Sequence, residues 1–551
     1  APTNYTQKKS VCHSLLSWIL HLVKNFHWVS LSVASPRSGV AWKTVLHYSL
    51  CGNGKVPVGF VVFKIIVGSL RAVVGSTPIH SRFFMEKVMK RFRAILLLTL
   101  CAAIFLSACQ PAVPTATLAI PTRTATSLPA TATPLPTSKP TLAVDRQALQ
   151  GQEVRIAFPW DQAENRFSQL IDDFNLTNTW GIRAVAEPYA SADALMEVLE
   201  TGRVAADVVI GKTYDLLSPQ TRIEFQDFGV YFNDPTWGAL DSYQQGSPFE
   251  AFAPKANETL PRYTLPLAYD AGLIFYRSAW ARELGLQEAP LAWEDFANQM
   301  RAGLRANLDD INIVNNGTGG LLLSKSPLSA QSWYAAFGGT YAIQNQVLQL
   351  EDEALVASFR ALKQAFKEDL TWVGLEPTPY QYFTDNFALA YEGTLSEIDQ
   401  QAHYLPAKKT EINWETLPYP TEDGKGSIAL ESVSVAMKAG EPESVMAAWF
   451  FVRWLLQPSQ QARLAEITSL WPATGHPVSV VPDYAAFHPA WASALRDGVR
   501  LTLAPEAADW GMNRYILQDA YLRVYDLEPE YFSNIIIVLK QMLADFPARQ
   551  Q

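Results

Sequence analysis

Cysteine and histidine are the first residues to weigh for nucleophilic or metal chemistry, and this 551-residue chain uses both sparingly. It has four Cys and eight His. Past Cys109 there is no further cysteine, so that region can form neither an internal disulfide nor a Cys-based metal site. His403, His476 and His488 are scattered and read as surface or packing histidines. No nucleophile elbow and no Gly-rich phosphate loop is present; Pro159-Trp160-Asp161 stands where such a loop would follow the first strand. Paired carboxylates could suggest glycoside hydrolysis, which needs two acids roughly 5–10 Å apart, but nothing in the sequence pairs them. An enzyme is not expected, and no cofactor is implied. What remains is one distinctive thiol, Cys109, and carboxylates and aromatic rings that can bind without reacting.

Cys109 closes the stretch Leu106-Ser107-Ala108-Cys109. Before it run Lys87, Lys90, Arg91 and Arg93, then the apolar segment Ala94 to Phe105. A basic end, a short apolar core and a small-residue exit describe a secretory signal. The apolar run is shorter than the about 20 residues that span a bilayer. With Cys first after the exit, the pattern resembles the bacterial lipoprotein signal. That resemblance implies cleavage before Cys109, a diacylglycerol thioether on its sulfur, and a protein tethered outside the cytoplasmic membrane. Residues 1–84 carry no acid and read as sequence upstream of the true start, with a basic membrane-associated extension as the rival; residues 85–108 read as the signal. In Val56 to Gly75, Lys64 and Arg71 interrupt the one apolar stretch that tempts a membrane reading.

Removing residues 1–108 takes away 13 basic residues and one acid, and leaves a formal charge of −21. Such acidity favours solubility and argues against nucleic acid as a partner. Residues 109–150 are rich in Pro, Thr, Ala and Ser and form a solvated tether that buries no core.

The payload must then position its side chains. Val154, Ile156 and Phe158 alternate as a strand does, and Phe167, Leu170, Ile171 and Phe174 share one helix face. A strand over 181–186, a helix closed by Gly202, and a strand over 207–211 follow. This alternation predicts a parallel sheet covered by helices. Farther on come strands at Leu273–Tyr276, Phe387–Gly393 and Ser432–Met437, a helix from Trp293, and a broad apolar helix from Pro442. Trp471-Pro472 ends a helical run over 459–467, and helical patterns return from Tyr515 to Phe546.

The succession LPLAYDAGLIFYR, AWEDF, FALAYEG, WETLPYPTEDGKGSIALESVSVAM and EPESVMAAWFFVRWLLQPSQQARLAEITSLWPATG resembles the extracellular solute-binding proteins of ABC importers, maltose-binding and other sugar binders above all. The resemblance covers nearly all of residues 153–551. It implies an α/β, two-lobed fold of the periplasmic-binding-protein type II kind, each lobe a mostly parallel sheet flanked by helices, with ligand in the cleft. Crossings placed at Asp270-Ala271-Gly272, Gly426-Ser427 and Pro477-Val478 divide the chain. One lobe is 153–270 plus 428–478; the other is 271–427 plus 479–551. Carried over position by position, the implied ligand-facing residues are Trp160 and Asp161 after the first strand, and Lys212, Thr213 and Tyr214 after the third. Tyr269 and Asp270 stand at the crossing, Glu392 and Gly393 at a strand end, Glu431 and Ser432 in the return segment, and Trp471 where the family has an aromatic.

Rings stack on sugar faces and carboxylates accept hydroxyl hydrogens, so a sugar is the first expectation. One departure is Gly393-Thr394-Leu395, where the family often reads Gly-Pro-Trp. Another is the number of acids: Asp161, Asp270, Glu392 and Glu431 exceed what a neutral sugar requires. A polyamine or other cationic solute is therefore the alternative, and a sensory lipoprotein without transport is another. The implied partners are membrane permease subunits with a separate ATPase, and the protein is expected to be a monomer.

Overall fold

The computed structural model describes residues 142–549, apart from 161–163, 244–245, 256–260, 345–346, 407–412 and 508. Cys109, the signal and most of the tether therefore lie outside the described residues, as does Asp161. The chain begins β1 (Glu153–Phe158), α1 (Glu164–Thr177), β2 (Arg183–Pro188), α2 (Ala192–Thr201), β3 (Val208–Lys212) and α3 (Thr213–Leu216). β1 pairs in parallel with β2 and with β3, so the carboxyl ends of these strands share one side. Phe167, Leu170, Ile171 and Phe174 are all buried, as their spacing on one helix face requires. Ser191 caps α2 by accepting the Ala194 N–H, and Gly202 ends it at φ +67°, a conformation only glycine adopts freely.

Next come β4 (Leu265–Tyr276), α4 (Trp293–Asp309), β5 (Gly319–Leu322), α5 (Pro327–Ala336), the pair β6 (Ala342–Gln344) and β7 (Val347–Gln349), α6 (Asp352–Lys367) and β8 (Thr371–Trp372). β9 (Ala388–Thr394), α7 (Ile398–Tyr404), β10 (Glu415–Leu417) and β11 (Ser427–Met437) follow. Then come α8 (Pro442–Leu455), α9 (Pro458–Thr468), β12 (Trp471–Pro472), α10 (Pro482–Phe487), β13 (Arg500–Leu503), α11 (Trp510–Val524) and α12 (Phe532–Arg549). The main sheet has the order β2-β1-β3-β11-β4-β9-β5-β8. It is parallel toward both ends and antiparallel through β3, β11, β4 and β9.

The two crossing strands are longer than their sequence signals. Apolar character predicts Leu273–Tyr276, yet β4 runs unbroken over 12 residues, every one buried. Tyr-Asp-Ala-Gly does not interrupt it because both halves find ladder partners. Asp270 pairs with Glu431 of β11, and Gly272 pairs with Thr394 of β9. β11 starts at Ser427 rather than Ser432 for the same reason, its first residues pairing with β13. Trp471-Pro472, which ends a helix, also adds a short strand to β4.

Several apolar clusters flank this sheet. In the first lobe Ile156, Phe174, Ile210, Phe451 and Leu455 pack together, with Trp449 donating its indole N–H to the Trp237 carbonyl at 2.9 Å. In the second lobe Ile274, Met300, Trp333, Leu362, Leu517 and Leu539 do the same. Each such side chain contributes about 1.5–3 kcal/mol on burial. Between α4 and β5 the backbones touch at two glycines, and a Cβ on Gly303 would stand 2.1 Å from the Gly319 carbonyl oxygen. In an ordinary helix Gly→Ala stabilises by about 1 kcal/mol. Gly303→Ala is expected instead to lose about 1–3 kcal/mol or more by overpacking. Urea unfolding of the variant at unchanged m-value checks this, and a gain would mean that α4 is free to move off the sheet.

Candidate functional site

In open α/β sheets the carboxyl ends of parallel strands collect ligand-facing loops. Here β1 ends at Phe158 and β3 at Lys212, and beyond them opens a cavity of about 490 Å³. Trp160, Arg166 and Lys212 line it, with Asp270 of β4 and, from the segment after β9, Ser396 and Asp399. Trp160 is half-buried and sits edge-on to Phe167 at 5.0 Å, so its ring is braced by the core.

The cavity floor is ionic. Lys212 Nζ lies 3.0 Å from Asp270 Oδ2 and 3.3 Å from Glu431 Oε2. Glu431 also accepts from Gln331 Nε2 at 3.0 Å and from the Tyr214 hydroxyl at 3.3 Å, with Arg514 at 3.9 Å. The Arg514 guanidinium lies over the Tyr214 ring, 4.5 Å from its centroid. Asp270 accepts from the Ser396 backbone N–H and hydroxyl, each at 3.3 Å. Burial alone would depress the Lys212 ammonium, but the Asp270 and Glu431 carboxylates outweigh it and hold the group above its usual range. Burial would likewise raise Glu431; Lys212 and then Arg514 keep it below the usual carboxylate range. Burial pushes Asp215 up to about 6 despite Arg514 and Lys212.

The structure distributes the sequence candidates among different tasks. Trp160, Lys212 and Asp270 face the cavity. Glu431 and Tyr214 sit behind it in the ionic floor. Thr213 is buried, its hydroxyl 2.5 Å from that of Ser432 and 2.6 Å from that of Ser434, so Thr213 and Ser432 tie α3 to β11. Tyr269 has no exposed surface and packs on Phe249 at 4.7 Å. Trp471 is also fully buried; its indole N–H donates to the Trp491 carbonyl at 3.0 Å, and its ring presents no face to the cavity. Gly393 lies inside β9, where a Cβ would stand 2.7 Å from the Phe275 ring.

Glu392 faces a separate cavity of about 380 Å³ at the ends of β5 and β8. It accepts from the Trp333 indole at 2.7 Å and from the Ser324 backbone N–H at 2.8 Å. Burial outweighs these donors and pushes its carboxyl up to about 7.

Sequence reasoning missed Arg166, Ser396, Asp399, Gln331 and Arg514. Ser396 and Asp399 follow directly on Gly393-Thr394-Leu395, the turn that departs from the expected aromatic, so that departure was their available signal. For Arg166, on an exposed helix surface, no signal exists.

A family model described as bacterial extracellular solute-binding protein matches residues 169–479. No curated protein matches the chain. Among solved structures, the cyclic alpha-maltosyl-1,6-maltose binding protein of Arthrobacter globiformis superposes with a TM-score of 0.56 at 13% identity, covering 71% of this chain and 97% of its own. The GacH receptor of Streptomyces glaucescens, solved unliganded and with acarbose, gives 0.54 at 16% identity, covering 72% and 99%. The sugar-binding protein MalE of Xanthomonas citri gives 0.53 at 17%, covering 73% and 100%. At such identities these likenesses show the two-lobed fold.

The two raised and lowered glutamates make a pH test. A carboxyl with a folded value above its unfolded one stabilises the fold below the unfolded value and loses that contribution as pH rises. For Glu392 the window runs from about 4.5 to about 7. Wild-type stability is expected to fall relative to Glu392→Gln across that window, by up to about 1.4 kcal/mol per pH unit, and to level off above it. Chemical denaturation of both proteins at a series of pH values measures the difference; parallel profiles would show that Glu392 keeps its charge.

Proposed function

The chain belongs to the bacterial extracellular solute-binding proteins, and from that premise we propose that it captures a neutral sugar or oligosaccharide between its lobes and delivers it to the membrane permease of an ABC importer, with a separate ATPase supplying the energy. One observation carries the reading: the cavity at the ends of β1 and β3 is walled by Trp160, Arg166 and Lys212 on one side and by Ser396, Asp399 and Gln400 on the other. A solute touching both walls stabilises the closed arrangement of the lobes, which is how binding would be signalled to a permease. Trp160 offers a braced aromatic face, and the polar rim offers donors and acceptors for hydroxyls. The sugars and acarbose in the named structures of like fold support the same solute class.

Three of the four acids that favour a cationic solute already have partners, and the fourth, Asp161, lies outside the described residues. Asp270 and Glu431 are already matched by Lys212, and Glu392 by an indole and a backbone N–H. Removing a partner from a buried pair is costly, so these carboxylates are poor receptors for a second cation in this cavity. The reading remains that of a binding protein without catalytic chemistry, working as a monomer outside the cytoplasmic membrane.

A thermal-shift panel of neutral mono- to tetrasaccharides tests this. At about a hundredfold excess over Kd the right solute is expected to stabilise the protein by roughly 2.7 kcal/mol, and Trp160→Ala is expected to abolish that shift, measured against the variant's own unliganded midpoint, which the lost contacts with Phe158 and Phe167 lower. A panel with no responding saccharide would sink the proposal.

We also propose that Cys109 carries a diacylglycerol anchor. Each buried CH₂ contributes about 0.8 kcal/mol, and two chains hold where one is marginal. Cys109→Ser is expected to move the protein from the membrane fraction to the soluble one, and mass spectrometry of the wild-type amino terminus should find the diacyl thioether. Unchanged fractionation with an unmodified thiol would rule the anchor out.

A further inference from the structure

Four large aliphatic side chains stand in solvent between Leu308 and Val314. Ile311 is fully exposed, Ile313 is 82% exposed, Val314 75% and Leu308 50%. Single exposed apolar residues are ordinary on a protein surface, whereas a cluster of them marks a contact. This cluster crowns the loop that joins α4 to β5.

The loop is built to hold these side chains outward. Asp310 accepts from the Asn312 backbone N–H at 2.6 Å and from Asn315 Nδ2 at 2.8 Å, and Asn312 Oδ1 accepts from the Val314 N–H at 3.2 Å. Asn315 is buried, and the Thr318 hydroxyl donates to its carbonyl at 2.6 Å. Asn307 Nδ2 closes the base, donating to Thr318 Oγ1 at 3.1 Å and to the Asn386 carbonyl at 3.0 Å. The turn is thus held by polar groups, and its aliphatic side chains serve no packing within the fold. The loop enters β5 at Gly319, whose N–H donates to the Phe387 carbonyl just before β9. β5 and β9 run parallel, and the cavity lined by Ser324 and Glu392 opens at their other ends. The tip therefore lies at the pole of the second lobe opposite that cavity.

Composition decides what such a tip fits. Residues 306–317 contain no Trp, Tyr or Arg, the types that dominate the energetics of protein–protein contacts. They contain no cation to meet a phosphate, only Asp309 and Asp310. A convex aliphatic point needs no matching shape in a lipid phase, and the exposed Asn312 and Asn316 beside it suit the headgroup layer. We propose that this tip dips into the surface of a lipid bilayer as a second, reversible membrane contact beside the anchor at Cys109. The inference rests on the proposed anchor only for the nearness of the bilayer. A shallow apolar contact is marginal by itself, but a tether makes it intramolecular and raises its occupancy. Residues 109–141 span at most about 120 Å at roughly 3.6 Å each, well beyond the about 22 Å radius of gyration of a folded body of this size. With the tip in lipid, the carboxyl ends of β5 and β9 point away from the bilayer, so the cavity at those ends faces the medium from which solute arrives.

The experiment follows co-flotation of the mature chain from residue 110, which contains every described residue, with phosphatidylcholine vesicles. The wild type is expected to partition onto them, and the double variant Ile311→Asn, Ile313→Asn to bind at least about tenfold more weakly. Both side chains are solvent-exposed, so the variant is expected to keep the wild-type melting midpoint, which separates a lost contact from a lost fold. Replacing about a third of the lipid with phosphatidylglycerol is expected to weaken binding, because Asp309 and Asp310 flank the tip. No partitioning by the wild type, equal partitioning by both proteins, or binding only to membranes that carry protein overturns the lipid contact. Binding that grows with phosphatidylglycerol overturns it as well, since charge would then be the cause. This chain lacks Cys109, so none of these outcomes depends on whether that thiol carries lipid; fractionation and mass spectrometry decide the anchor separately.

Discussion

A lysine held between two carboxylates on neighbouring crossing strands is the constraint on which the rest of the site depends. An ammonium taken out of water is costly unless opposite charges and good geometry compensate it. Lys212 meets that condition by bridging Asp270 on β4 and Glu431 on β11. The bridge fixes the end of β3 against both strands that join the lobes. Gln331 and Arg514 then reach Glu431 from the second lobe while Tyr214 reaches it from the first. The floor of the cavity is thus rigid and internally satisfied, which leaves recognition to the groups on its rim.

Glu392 and Glu431 show how far neighbours decide the behaviour of one residue type. Both are almost fully buried. Glu431 stands beside two cations and stays charged; Glu392 is met by an indole, a backbone amide and the Ser329 hydroxyl but by no cation among the described residues, and its carboxyl rises to about 7. The sequence places both at strand ends and offers no way to tell them apart.

Much of the architecture was legible because it is local. Alternation in β1, the helix face of α1 and the cap at Gly202 each need only a short window, and the order of segments carried the family. The candidate site was legible where local signals end strands, at Trp160 and Lys212, and at Asp270 through the resemblance alone, since β4 runs on past it. The rest depends on distant pairings. Lys212 and Glu431 are 219 positions apart, and no pattern announces that one neutralises the other. Trp471 reads equally well as a stacking ring or as core, and its bond to the Trp491 carbonyl decides for core. Ser396 and Asp399 lie on a short turn and helix whose amphipathic signal is weak, so only the position of the preceding turn pointed toward them.

The continuity of β4 and β11 has a mechanical consequence. The two strands pair with each other only as far as Asp270 and Glu431; beyond these residues β4 continues beside β9 and β11 beside β13, so one sheet runs through the crossing. The lobes cannot swing like bodies on a slack joint. Relative movement has to be taken up as torsion of the crossing strands, spread over the residues on either side of Asp270 and Glu431.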